Sequence, residues 1–172
     1  FDLQPSGYLS YYDKVDKWFL LLDSAYTIVD TIKGNSGYTA DFHELVHLPN
    51  GNSLIMCEDL QVMDLTGYGG LINTNVFGNI LQIQDANGVL LFNDTNGLSL
   101  QHDARILANG NLTVFDNGVS HDPPIASAKE YTIDTALGTA NLVWNFSHPY
   151  GAASGRTGNA QRLPNGNTFI NW

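Results

Sequence analysis

Short apolar runs of three to five residues recur along the chain, set off by clusters of Asn, Gly, Asp and Ser. Three of these runs follow nearly the same words. Leu48-Pro49-Asn50-Gly51-Asn52 precedes Ser53-Leu54-Ile55, Leu107-Ala108-Asn109-Gly110-Asn111 precedes Leu112-Thr113-Val114, and Leu163-Pro164-Asn165-Gly166-Asn167 precedes Thr168-Phe169-Ile170. An Asn-Gly between two apolar strands is the strongest short-range hairpin signal, because both residues reach the positive φ that tight turns require. The glycines stand 59 and 56 positions apart (110 − 51 and 166 − 110). Recurrence at a near-fixed period marks one supersecondary unit used several times.

A second pattern interleaves with the first. Leu22-Asp23 leads through Ser24-Ala25-Tyr26 to Thr27-Ile28-Val29, Gln84-Asp85 leads through Ala86-Asn87-Gly88 to Val89-Leu90-Leu91, and Ile133-Asp134 leads through a longer turn with Gly138 to Leu142-Val143-Trp144. Each reads as strand, Asp-initiated turn, strand. The aspartates precede the next Asn-Gly-Asn glycine by 28, 25 and 32 positions (51 − 23, 110 − 85, 166 − 134). Two alternating hairpins make a four-stranded unit, and radial repetition of such units is a β-propeller, which protects its sheet edges. A β-sandwich also has short strands and regular turns, but it does not demand the same words in every repeat. The expectation is an all-β chain, a single partial β-propeller domain over residues 1–172 with about three four-stranded blades.

Composition narrows the picture. The 172 residues are 43% hydrophobic and 14% charged, a globular balance with length enough for a real core. A net charge of −10 with only seven Lys and Arg provides no basic surface to track phosphates, so neither nucleic acid nor membrane insertion is expected. The single cysteine, Cys57, follows Ile55-Met56 in an apolar run and reads as a buried, inert thiol. No signal peptide or membrane-spanning run is visible, and the abrupt start at Phe1-Asp2-Leu3 suggests a processed or truncated N-terminus. Sequons stand at Asn93-Asp94-Thr95, Asn111-Leu112-Thr113 and Asn145-Phe146-Ser147, the second inside a turn-strand repeat and so incidental.

The repeat also aligns the residues able to do chemistry. Eight places before each repeat glycine stand His43-Glu44, His102-Asp103 and Gly158-Asn159. Equivalent positions in successive blades occupy equivalent radial places, so His43 and His102 are expected at one axis, in the mouth of a channel. Neighbouring strand residues point to opposite faces, so Glu44 and Asp103 are expected to turn away from their own histidines. By the same count Arg105, three places after His102, falls on the opposite face. His121 sits on a loop after the second hairpin from which it reaches the same opening, whereas His47 and His148 have no repeat partner and read as structural. No spacing fits a metal site, a phosphate-binding loop or a nucleophile elbow. With only Arg105, Arg156 and Arg162 present, an anion site built on several arginines is not expected.

Longer stretches carry a family likeness. The eighteen residues from Gln101-His102-Asp103-Ala104-Arg105 to Phe115-Asp116-Asn117-Gly118 closely resemble the signature of secreted arylsulfotransferase-like proteins. So do Asp41-Phe42-His43-Glu44 and the stretch from Gly158-Asn159 to Asn171-Trp172. The resemblance implies a six-bladed propeller, secreted or periplasmic, that moves a sulfuryl group from a phenolic sulfate ester to a phenol acceptor. It implies no cofactor and a ping-pong route through a sulfohistidine, with His102 similar to the nucleophile and His43 to a second catalytic histidine. His121 and Arg105 stand as candidate substrate-binding residues. A neutral imidazole attacking sulfur splits one hard transfer into two easier ones.

The chain departs from that pattern in three places. Phe92 runs almost directly into Asn93-Asp94-Thr95-Asn96-Gly97 and Gln101-His102, as though one blade, with a further histidine and an arginine, were removed in phase. Where the family often reads Ser-Arg, Ser127-Ala128-Lys129 precedes Glu130-Tyr131, and the chain stops at Trp172, partway through a blade. An arc of about three blades exposes sheet edges, so pairing with other chains, or membership of a longer protein, is expected. A non-catalytic secreted propeller acting as a binding or assembly module is the alternative. A carbohydrate-binding surface would rest only on Tyr8, Tyr11, Tyr12 and Trp18.

Overall fold

The computed structural model describes residues 1–94 and 97–172, so Thr95 of the first sequon and part of the Phe92–His102 join lie outside the described residues. Apart from one 3-10 turn at Thr66–Tyr68, the regular structure described is all strand. β1 (Asp2–Leu3), β2 (Leu9–Asp13), β3 (Trp18–Leu22) and β4 (Ile28–Ile32) form the first sheet. β5 (Thr39–His47), β6 (Ser53–Met63), β7 (Thr74–Gln84) and β8 (Leu90–Asp94) form the second. The third holds β9 (His102–Ile106), β10 (Leu112–Asp116), β11 (Ser127–Asp134) and β12 (Thr139–Ser147), and β13 (Asn159–Arg162) and β14 (Thr168–Asn171) form a two-stranded fourth. All four are antiparallel and connected in chain order. The succession fits a propeller-like fold, and no closed ring is seen among the described residues.

The two turn classes take the places that their alternation predicts. Each Asn-Gly-Asn turn joins the first and second strands of its sheet through a three-residue loop. In the first, Gly51 N–H donates to Leu48 O at 2.9 Å and Leu48 N–H donates to Asn52 O at 2.8 Å. The same pair of bonds closes Leu107–Asn111 and Leu163–Asn167. The glycines sit at φ +85, +85 and +86°, the left-handed position such loops need. The first asparagine of each turn caps it, accepting the N–H two residues on at 3.0 Å. The Asp-initiated turns join the third and fourth strands, with Asp23, Asp85 and Asp134 each accepting two backbone N–H bonds on one carboxylate oxygen.

A fourth copy of the first turn escaped the sequence pattern. Gln4-Pro5-Ser6-Gly7-Tyr8 closes with the same two bonds, both 2.8 Å, and Gly7 lies at φ +89°. It joins β1 to β2 and so opens the first sheet. Only the proline and the glycine of the repeated words survive there.

Because the sheets stack face to face, the inner strands are apolar on both sides. Along β6, Leu54 and Met56 face the third sheet, packing with Leu81, Phe92, Leu112 and Val114. Ile55 and Cys57 face the first sheet with Phe19, Leu21 and Ala40. Burial, then Asp41, pushes the Cys57 thiol up to about 12, so the inert thiol is borne out. Tyr12 donates to Ala40 O at 2.8 Å and Lys33 lies over the Trp18 ring, so these aromatics serve packing.

His47 is a structural histidine with a consequence for pH. Its Nδ1 lies 2.9 Å from Ser53 Oγ, and burial holds its basicity below the ordinary value against a weaker pull from Asp30. The folded chain therefore binds this proton less readily than the unfolded one. The stability tied to a neutral His47 is present above the ordinary histidine value and is lost as pH falls through it. Between about pH 7 and about pH 5, wild type is expected to lose more stability than His47→Gln. Urea midpoints at the two pH values check this, and equal losses would contradict it.

Candidate functional site

The first strands of the second and third sheets bring His43 and His102 together. Their ring centroids are 5.3 Å apart, edge to face at 74°. Both strands are irregular at the histidine. In β5, Ala40 opposes Cys57 and Leu45 opposes Ile55, five steps against two, so three residues around Phe42-His43 are extruded from the ladder. In β9, His102 opposes Phe115 and Arg105 opposes Thr113, three steps against two, and Asp103 takes φ +53°. Bulges of this kind re-aim side chains at rims and sites. Asp41 completes the first histidine, its Oδ1 2.7 Å from His43 Nδ1 and 3.1 Å from the His43 backbone N.

His102 has a defined protonation pattern. Its Nδ1 lies 2.9 Å from Leu100 O and 2.9 Å from Asn117 Oδ1. The amide of the buried Asn117 cannot turn round, because its NH₂ donates to Ser154 O at 3.1 Å and Thr157 O at 3.3 Å. Two acceptors at Nδ1 assign the proton of a neutral ring to Nδ1 and leave the lone pair on Nε2.

Asp116, next to Asn117 in the chain, is fully buried. Its Oδ1 accepts from Ser99 N at 2.9 Å and Gly118 N at 3.1 Å, and its Oδ2 from Lys129 Nζ at 2.6 Å and His121 Nε2 at 2.7 Å. Burial alone would raise its carboxyl, but the bonds from Lys129, His121 and Ser99 outweigh it and hold it below the usual range.

The remaining expected residues are placed less directly. His121 turns its Nε2 to Asp116 rather than to the paired rings. Arg105 lies beyond the β9 bulge, opposing Thr113 where His102 opposes Phe115, and it pairs with Asp103 two places before it. Its guanidinium is held by Glu44 at 2.7 Å and Asp103 at 2.9 Å, so the acids beside the two histidines do turn elsewhere, and both onto this arginine. The two ends of the Glu44–Arg105 pair respond unequally. Burial pushes the Glu44 carboxyl up even against Arg105, whereas the two acids hold Arg105 above its ordinary value in spite of burial. A cavity of about 460 Å³ opens beside this pair, walled by His43, Phe42, Glu44, Arg105 and the β1 end of the first sheet.

Residues 80–172, just over half of the chain, match the family described as Arylsulfotransferase (ASST). The chain belongs to the arylsulfotransferase family. The matched part holds His102, Arg105, Asp116, Asn117 and His121, while His43 lies before it. No curated protein matches the chain.

In this arylsulfotransferase-family chain the third repeat position is glycine for a packing reason. A Cβ on Gly158 would lie 2.1 Å from the Phe115 ring, which is fully buried there. The residues that sequence reasoning passed over are Asp41, Asp116 and Asn117. Asp41 lies two places before His43, the spacing that puts a side chain on the same side of an extended strand. Asp116-Asn117-Gly118 stood inside the family signature, but nothing local announced its partners.

Proposed function

We propose that this chain transfers a sulfuryl group from a phenolic sulfate ester to a phenol through His102, with His43 as proton carrier. Membership of the arylsulfotransferase family supports the reaction class. The observation that carries the reading is the Nδ1 of His102, tied by Leu100 and Asn117 so that Nε2 presents its lone pair. In the first half, Nε2 attacks sulfur, the ester S–O bond breaks, and its electron pair leaves with the phenolic oxygen. His43, protonated and paired with Asp41, gives that oxygen its proton. In the second half the acceptor phenol oxygen attacks sulfur, the N–S bond breaks, and its pair returns to Nε2 while His43 takes the phenolic proton. Such nucleophilic and acid–base roles suit paired imidazoles near neutral pH.

Wild-type protein given 4-nitrophenyl sulfate and 1-naphthol is expected to release nitrophenol and form naphthyl sulfate, with parallel double-reciprocal lines. No transfer by wild type would end the reading. On family membership we also propose a secreted or periplasmic location, and an arc of three four-stranded blades plus half of another from a six-bladed propeller, forming one partial domain. Among the described residues no helix is long and apolar enough to cross a membrane.

One observation favours the non-catalytic alternative. Arg105, the candidate for steadying a sulfate, already bridges Glu44 and Asp103. The chain would then act as a binding or assembly module, pairing with other chains through open blade edges.

A further inference from the structure

We infer that Asp116 is the positioning residue that sets the tautomer and aim of His102. This rests on the reading of His102 as the nucleophile. Asp116 is fully buried and has no route to a substrate, so any effect it has on the chemistry passes through other groups.

Its two oxygens divide the task. Oδ1 accepts the backbone N–H groups of Ser99 and Gly118. Ser99 immediately precedes Leu100, and Gly118 immediately follows Asn117. These are the two residues whose oxygens hold His102 Nδ1. One carboxylate oxygen therefore fastens both acceptor-bearing segments to a single point. The segments are otherwise joined by Gly118 N–H to Ser99 O at 3.2 Å and Ser120 N–H to Ser99 Oγ at 2.8 Å. Both are held in special backbone conformations. Leu100 sits at φ +52°, and Gly118, at φ +66°, runs so close to Ile125 O that a Cβ would lie 1.9 Å from it. Strained positions of this kind persist only where the surroundings over-determine them. Oδ2 is held in turn by Lys129 and His121, which fix the carboxylate from the far side. His121 thus acts on the site at second hand, as support for Asp116.

The test uses the full chain with ¹⁵N-labelled histidine. In wild type the neutral His102 ring is expected to carry its proton on Nδ1. Asp116→Asn keeps the shape but loses the charge that Lys129 and both backbone donors converge on. A substantial share of Nε2–H tautomer is expected, with kcat for sulfuryl transfer lowered about a hundredfold, as for a displaced catalytic group, and KM within about twofold. Lys129→Gln and His121→Gln are expected to shift the tautomer the same way and to lower kcat about tenfold.

A folded Asp116→Asn protein with the wild-type tautomer overturns the inference. If that variant does not fold, an unchanged tautomer in both Lys129→Gln and His121→Gln overturns it. A tautomer shift in a protein that transfers no sulfuryl group would sustain the role of Asp116 and defeat the proposed reaction. Transfer with an unshifted tautomer would do the reverse.

Discussion

Replacing His102 with alanine is expected to lower sulfuryl transfer by about 10⁴-fold or more, because loss of a covalent nucleophile removes both half-reactions. The expectation follows from what each ring atom does. Nδ1 is occupied by Leu100 O and Asn117 Oδ1, which orients the ring and leaves Nε2 as the atom proposed to attack sulfur. Glutamine at the same position restores a donor toward those oxygens but no nucleophile, so His102→Gln is expected to be as inactive as the alanine variant and closer to wild type in stability. The difference should be of the order of 1 kcal/mol, that of one hydrogen bond. Initial rates and urea midpoints on the same preparations separate the two effects. Either variant retaining a tenth of the wild-type rate would contradict the assignment.

Phe115→Ala is expected to cost about 3–5 kcal/mol, the range for emptying a fully buried aromatic site. The ring lies between the third sheet and the β13–β14 hairpin, surrounded by Ala126, Ala128 and Ala160, with Gly158 beneath it and Trp172 edge-on at 5.6 Å. The three alanines and Gly158 do not reach far enough to fill the cavity left behind, and Trp144, Ile170 and Trp172 pack against the same cluster from its rim. Phe169→Ala, at a side chain 55% exposed, is expected to stay within about 0.5 kcal/mol of wild type. Against a typical total of about 5–15 kcal/mol, the first variant is expected to shift the denaturant midpoint far and the second barely. A Phe115→Ala loss below about 1 kcal/mol would mean that the site collapses, contrary to this packing.

The fold was legible where a local rule decides it. Asn50-Gly51, Asn109-Gly110 and Asn165-Gly166 require a left-handed glycine and an asparagine cap, and Asp23, Asp85 and Asp134 each gather backbone N–H groups from their own turn. Those bonds span a few residues, so the words in the sequence carry them. The β9 bulge was not legible, because an extra residue is defined by what the partner strand opposes. Asp103 gives no hint of its positive φ. His43 and His102 meet as the repeat ruler indicates. The groups that hold His102 were hidden, since Asn117 finds Ser154 and Thr157 at 37 and 40 positions' remove, and Asp116 finds Ser99 at 17. The third repeat position reads in sequence as a missing histidine, whereas in the fold it is the glycine that lets Phe115 seat. Cys57 and His47 followed the rule that a lone polar side chain in an apolar strand is buried and satisfied.

The most direct measurement is the intact mass of the full chain after brief exposure to 4-nitrophenyl sulfate without an acceptor, followed by peptide mapping. A species one sulfuryl group heavier is expected, with the group on His102, and it should disappear when a phenol is added. Wild type that releases nitrophenol while never gaining mass, or that carries the group on any other residue, would contradict transfer through His102.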